Sequence, residues 1–201
     1  MLFAGNASRY VASAFLYAAI FIGSNSTPNI FLNSLLFGRE VLPAFSTPMT
    51  AKLNFIEYTE GNNHFIVNFY SEDEWAHLKN TLQQDDTENY NQLGERIAYV
   101  EENYGVTEEN CIGSDPVRKD DLSLLEEFVS DHKSGKGKYT PFVRDVHILV
   151  HNENIKNLCI VDTPGLNDPN TINSEETVKW IKAAHAVIFL LRNKGYEASD
   201  K

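Results

Sequence analysis

Positive charge is what this chain most lacks for its size. Its 201 residues carry 17 Lys and Arg against 28 Asp and Glu, a formal net charge of −11. That balance excludes broad nucleic-acid binding and a basic membrane-binding face. Cysteine is nearly absent as well. Cys111 and Cys159 are the only two, they lie far apart, and Cys159 sits in the apolar run Leu158-Cys159-Ile160-Val161. A buried free thiol is expected there rather than a disulfide. No Cys/His group has metal-ligand spacing, so the six histidines read as ordinary surface or core residues. Internal repeats, low-complexity tracts and linker-like stretches are all missing, which leaves one domain with a sizeable core. The uncharged run Tyr10 to Ile22 is too short to span a bilayer as a standard helix.

That run has two readings. With Arg9 before it and Gly23-Ser24 after it, it fits the h-region of a signal peptide, and Asn6-Ala7-Ser8 and Asn25-Ser26-Thr27 match glycosylation sequons. The reading the rest of the chain favours is a buried helix end followed by a strand, Ala19-Ile20-Phe21-Ile22, that feeds a phosphate loop. The first reading implies a secreted protein and the second a cytoplasmic one, peripheral to a membrane at most.

What is present is a globular composition, 42% hydrophobic and 11% aromatic. Ile30 to Phe37 reads as a short buried helix stopped by Gly38. Lys52 to Tyr58, with Leu53 and Phe55 against Asn54 and Glu57, leads through Gly61-Asn62-Asn63 to Phe65-Ile66-Val67-Asn68-Phe69, which predicts a β-hairpin. From Ser71 to about Tyr104 the pattern is acidic and helical, opened by a capping box of Ser71 with Glu74. Residues 120–133 form a second amphipathic helix with Leu122, Leu125, Phe128 and Val129 on one face. The run Ser134 to Lys138 contains Gly-Lys pairs, but with no strand before them and no Ser or Thr after them they read as a flexible, solvated loop. A second hairpin is expected between Phe142–Val150 and Leu158–Val161. Ser174 to Ala184 is a predicted helix, and Ala186 to Leu191 a fully buried strand. This order predicts an α/β sandwich on a mostly parallel sheet, with 71–138 as a mostly helical insertion and 1–18 as an atypical apolar segment.

The most informative motif is Val161-Asp162-Thr163-Pro164-Gly165, a buried strand running into an Asp-x-Pro-Gly turn. An Asp at such a strand end can hold a magnesium-bound water, and the Pro-Gly lets backbone approach a phosphate closely. The same four residues also make an ordinary Asx turn. Upstream stand Asn33-Ser34-Leu35-Leu36, Leu42-Pro43 and Thr47-Pro48-Met49-Thr50. In that order and on those elements, the motifs resemble the first helix, switch I and third motif of bacterial dynamin-like GTPases, over about residues 19–199. The resemblance implies a P-loop NTPase-type, three-layer α/β G domain, C-terminally incomplete, with GTP and Mg2+ as cofactors. It implies that Thr50 is the switch threonine acting on magnesium and the attacking water, where the residue alone is equally a strand-entry threonine. It also implies that Asp162 holds magnesium through water and that Gly165 donates its N–H to the γ-phosphate.

The phosphate loop of that resemblance would be Gly23-Ser24-Asn25-Ser26-Thr27-Pro28-Asn29-Ile30. A working loop reads Gly-x-x-x-x-Gly-Lys-Ser/Thr. Here Pro28 replaces the second Gly and removes an N–H, Asn29 replaces the Lys, and Ile30 replaces the hydroxyl ligand. Hydrogen bonds to charged groups are worth roughly 1.5–3 kcal/mol each, so losing three costs about 4–9 kcal/mol if additive. At ~1.4 kcal/mol per decade, that is about three to six orders of magnitude in affinity. The base-reading motif of the family is also unmatched, since Asn193-Lys194-Gly195-Tyr196 lacks its Asp. The expectation is a dynamin-like GTP-binding fragment, ancestrally a Mg-dependent GTPase linked to membrane remodelling, and weak or inactive here. A frame change near residue 30 would explain the scrambled loop. Self-association through the G domain is expected, with membrane contact only through a stalk beyond this sequence. The alternative is a non-enzymatic pseudo-GTPase module that binds partners through its acidic 71–133 helices.

Overall fold

The computed structural model describes residues 16–22, 33–34, 52–130, 137–163 and 178–190. Its framework is a sheet of seven strands: β1 (Leu16–Ile22), β2 (Leu53–Tyr58), β3 (His64–Phe69), β4 (Val117–Lys119), β5 (Val143–Val150), β6 (Leu158–Asp162) and β7 (Ala186–Leu190). Their order is β4-β3-β5-β2-β6-β1-β7. The stretch read as a strand at Ala19–Ile22 is part of β1, which runs parallel between β6 and β7.

Two sequence expectations are corrected by this order. β2 and β3 do not form a hairpin, and neither do β5 and β6. Instead β5 lies between β2 and β3, parallel to the first and antiparallel to the second, while β2 separates β5 from β6. Short turns favour both hairpins locally, but β2 takes an interior place in the sheet, with β6 on one edge and β5 on the other. The sheet is therefore mixed rather than mostly parallel: three neighbour pairings are parallel and three antiparallel.

Between β3 and β4 come α1 (Glu72–Asp85), α2 (Thr87–Tyr104) and α3 (Glu108–Cys111). The Ser71 capping box forms as the sequence implies, with Ser71 Oγ accepting from Glu74 N–H and the Glu74 carboxylate accepting from Ser71 N–H. What looked like one helical stretch is two helices, because the Asp86 carboxylate turns to accept from Asn89 N–H and restarts the chain as an N-cap. Gly105, at φ 66°, closes α2 in the left-handed conformation. A 3-10 turn, Leu122–Leu125, leads into α4 (Glu126–Val129).

Three clusters bury the apolar side chains. On one face of the sheet, Ile56, Phe65, Val67, Val146, Ile148 and Ile160 pack under Leu125, Phe128 and Val129. On the other, Leu53, Phe55, Cys159 and Val161 lie beneath Trp180 of the helical stretch 178–183. This gives the three layers of the expected α/β sandwich. The inserted helices have a core of their own, Trp75, Leu78, Leu82, Val100, Val106 and Cys111, joined to the sheet by Phe142. Both cysteines are free and buried, and burial drives the Cys111 thiol up to about 11.

A polar network crosses the second face. His147 on β5 stacks on Phe55 and places Nδ1 2.8 Å from Glu57 Oε2 on β2, while its Nε2 lies 3.5 Å from Asp145 Oδ1. Asp145 also accepts from Asn68 on β3 and from Arg144, whose guanidinium donates to Glu74 at 3.0 Å. Burial alone would push the His147 imidazole down. The hydrogen bonds to Asp145 and Glu57, with their charges, reverse this and raise it to about 9.

Gly137 and Lys138 are not part of a solvated loop. Lys138 pairs with Glu127, and a Cβ on Gly137 would lie 2.0 Å from the Ser130 carbonyl oxygen. Replacing Gly137 with Ala is expected to destabilise the chain by about 2 kcal/mol or more, because backbone must move. Gly94, inside α2, has nothing within 4 Å of its Cβ position, so Gly94→Ala should stabilise by roughly 0.5–1 kcal/mol. Urea denaturation of both variants checks this opposition.

The His147 network sets a pH dependence. A folded-state value raised from 6.5 to about 9 gives a contribution fully present below pH 6.5 and lost as pH rises through about 9. Denaturation midpoints measured from pH 6 to 10 are expected to fall more steeply for the parent than for His147→Gln.

Candidate functional site

The C-terminal ends of β1 and β6 and the N-terminal end of β2 meet at one edge of the sheet. Register fixes this: Ile20 pairs with Asp162 in parallel, and Asn54 pairs with Asp162 across the antiparallel β2–β6 ladder. In α/β sheets, ligands bind beyond the carboxyl ends of the strands. β6 delivers Asp162 to that edge because Cys159, Ile160 and Val161 are buried on alternating faces, which holds the strand straight into the centre of the sheet.

Asp162 is 2% exposed and Thr163 1%. The Asp162 carboxylate has one hydrogen bond among the described residues, from Asn54 Nδ2 to Oδ2 at 3.5 Å. Its other oxygen, Oδ1, has no partner there, and neither does Asn54 Oδ1 or Thr163 Oγ1. Burial pushes the Asp162 carboxyl up to about 7, with the Asn54 amide pulling the other way. A buried carboxylate with so little compensation is costly to the fold. The open oxygens of Asp162 and Asn54, one on a charged group, stand across the β2–β6 ladder and suit a hard hydrated cation. Among the described residues no group of three or more His, Cys, Asp or Glu side chains is arranged to hold a metal.

Of the residues singled out from sequence, Asp162 stands at the sheet edge as just described. Gly23, Ser24, Asn25, Ser26, Thr27, Pro28, Asn29, Ile30, Thr50 and Gly165 lie outside the described residues. β1 ends one residue before Gly23, and β2 begins three residues after Thr50.

Asn54 was missed in the sequence. The alternation sets it with Glu57 against Leu53 and Phe55, yet Leu53, Asn54, Phe55 and Ile56 are all buried. The signal was the adjacent apolar pair Phe55-Ile56. Adjacent residues face opposite sides, so both faces of β2 are covered and a polar residue within it needs a partner.

The family model described as the dynamin family matches residues 30–199. Two solved chains share the fold, both from an oligomerised bacterial dynamin pair that provides a mechanism for long-range sensing and tethering of membranes. One matches with a TM-score of 0.68 and 20% identity, covering 96% of this chain and 30% of that one. The other matches with a TM-score of 0.60 and 21% identity, covering 88% and 22%. This chain thus spans less than a third of the length of either. No curated protein matches. No helix of the described residues is long and apolar enough to cross a membrane.

Replacing Asp162 with Asn keeps its shape and removes the poorly compensated charge. The variant is expected to gain about 1 kcal/mol or more in stability at pH 8, because a buried charge with one long hydrogen bond is removed. Thermal melting of parent and variant without added metal checks it.

Proposed function

This chain belongs to the dynamin family, matched over residues 30–199, and we propose that it is a guanine-nucleotide-binding unit whose metal arm persists while its phosphate arm is impaired. One observation carries the reading: Asp162 is buried at the end of a central strand with a carboxylate oxygen left open. Selection for stability alone would replace such a residue. The donor set of oxygens fits Mg2+, with Asp162 holding it through water and Thr50 and Gly165 completing the γ-phosphate side by resemblance. When bound, the cation would neutralise charge on the phosphates.

The phosphate loop fits its ligand poorly. Gly23 and the polar Ser24, Asn25, Ser26 and Thr27 supply backbone N–H groups and hydroxyls. Pro28, Asn29 and Ile30 supply neither the N–H, the ammonium nor the metal-facing hydroxyl of a working loop. GTP therefore binds weakly and is hydrolysed little. Self-association and peripheral membrane contact, in a cytoplasmic setting, follow from the family as parts of the same proposal. Their support is the printed description of the structural neighbours as an oligomerised, membrane-tethering pair.

Calorimetric titration with a non-hydrolysable GTP analogue plus Mg2+, against the ATP analogue, tests this reading. The expected outcome is binding weaker than about 100 μM for GTP, corresponding to ~5 kcal/mol. The triple variant Pro28→Gly, Asn29→Lys, Ile30→Ser should then tighten GTP binding by about 100-fold or more, since it restores three contacts to charged groups. Micromolar binding by the parent, or a triple variant no tighter than the parent, would overturn it.

A further inference from the structure

Asn54 stands opposite Asp162 in the β2–β6 ladder, so the two side chains share one face of the sheet. It is 7% exposed, and it is the one described residue whose side chain reaches the Asp162 carboxylate. The contact uses Oδ2 of Asp162 and leaves Oδ1 open, while the amide's own Oδ1 is open beside it. A carboxylate with two free oxygens can rotate about its last torsion and present either one. A neighbouring amide N–H breaks that symmetry by occupying one oxygen. The choice of Asn also matters electrostatically, because it adds an acceptor without adding a second negative charge at a site where one is already costly.

We propose that Asn54 is a positioning residue: its amide donates to Oδ2 of Asp162 and so directs Oδ1, together with its own carbonyl oxygen, toward the water shell of a divalent cation. Hydrated Mg2+ offers water protons rather than open coordination positions, and neutral amide and hydroxyl oxygens accept them well. The inference rests on the reading of Asp162 as the metal arm. It adds that the arm is a pair of side chains from two strands rather than one carboxylate.

The full chain is titrated with Mn2+ alone and the free ion is followed by electron paramagnetic resonance, so that neither nucleotide nor turnover is needed. Asp162→Leu should abolish the signal loss. Asn54→Leu, which keeps the size and removes the amide, should weaken Mn2+ binding by the folded fraction at least tenfold; its melting temperature falls as well, because the buried Asp162 carboxylate loses its hydrogen bond. A merely structural Asn54 would lower the melting temperature too but leave the Mn2+ affinity of the folded fraction unchanged, and affinity within twofold of the parent overturns the proposal.

A second measurement needs no variant to fold. In the parent, the Asn54 side-chain NH2 resonances should shift on saturation with Mg2+, and resonances that stay still overturn the proposal. If the parent itself takes up no Mn2+, the reading of Asp162 fails and the role of Asn54 falls with it. If the parent binds and Asn54→Leu binds equally, only the role of Asn54 fails.

Discussion

Strand β2 is held by two neighbours running in opposite directions, β6 antiparallel on one edge and β5 parallel on the other. Its faces are covered as well, by α4 and its preceding turn on one side and by Trp180 on the other. Neither of its edges nor either of its faces at Asn54–Ile56 is open to water. A polar side chain in such a strand must find its partner sideways, on an adjacent strand. Asn54 does so toward β6 and Asp162, and Glu57 does so toward β5 and His147. The two contacts lie on opposite faces and point to opposite edges.

That constraint explains which parts of the structure could be read from the residues alone. The capping box at Ser71 and the buried run ending in Asp162 depend on neighbours within a few positions, and local pattern reveals them. The strand at Ala186 is legible as a strand but not in its burial: β7 stands last in the sheet order, and Ile188 is 37% exposed where a fully buried strand is predicted. The pairing of β2 with β5 joins Leu53 to Asp145 across some ninety residues of sequence. Nothing in either segment names the other, and turn-like residues after each strand pointed to hairpins that do not form. Asn54 was hidden for the same reason. Its role depends on Asp162 standing opposite, and that fact belongs to the register rather than to any local motif. The Asp-x-Pro-Gly turn was legible as a site because its chemistry is contained in four consecutive residues.

The two arms of the proposed site carry different costs. On the proposed reading, a substitution in the loop 23–30 removes favourable contacts to a ligand. Keeping Asp162 buried with one long hydrogen bond costs the fold in every state that lacks a cation. A fold kept only for its shape would lose Asp162 before it altered the loop. On the proposed reading the opposite pattern holds, with an altered loop and a retained carboxylate. This asymmetry favours a retained use for the metal arm over a purely structural relic, and it is independent of how tightly any nucleotide binds.

The inserted helices are tied to the same strand. Glu74, which caps α1, holds Arg144; Arg144 holds Asp145; and Asp145 with Glu57 encloses His147. The chain of contacts therefore runs from the first turn of the insertion into β2, three residues from Asn54. Strand register is quantised, because a slip of one residue exchanges the faces. Such a slip would turn Asn54 away from Asp162 and Glu57 away from His147 at once. The ion pairs that seat the insertion and the amide that faces the carboxylate thus hold one another in place, and neither can be rearranged by small, graded motion of β2. A partner that displaced α1 would strain the Glu74–Arg144 pair and the packing of Trp75 on Phe142, both of which lead into β5 beside β2.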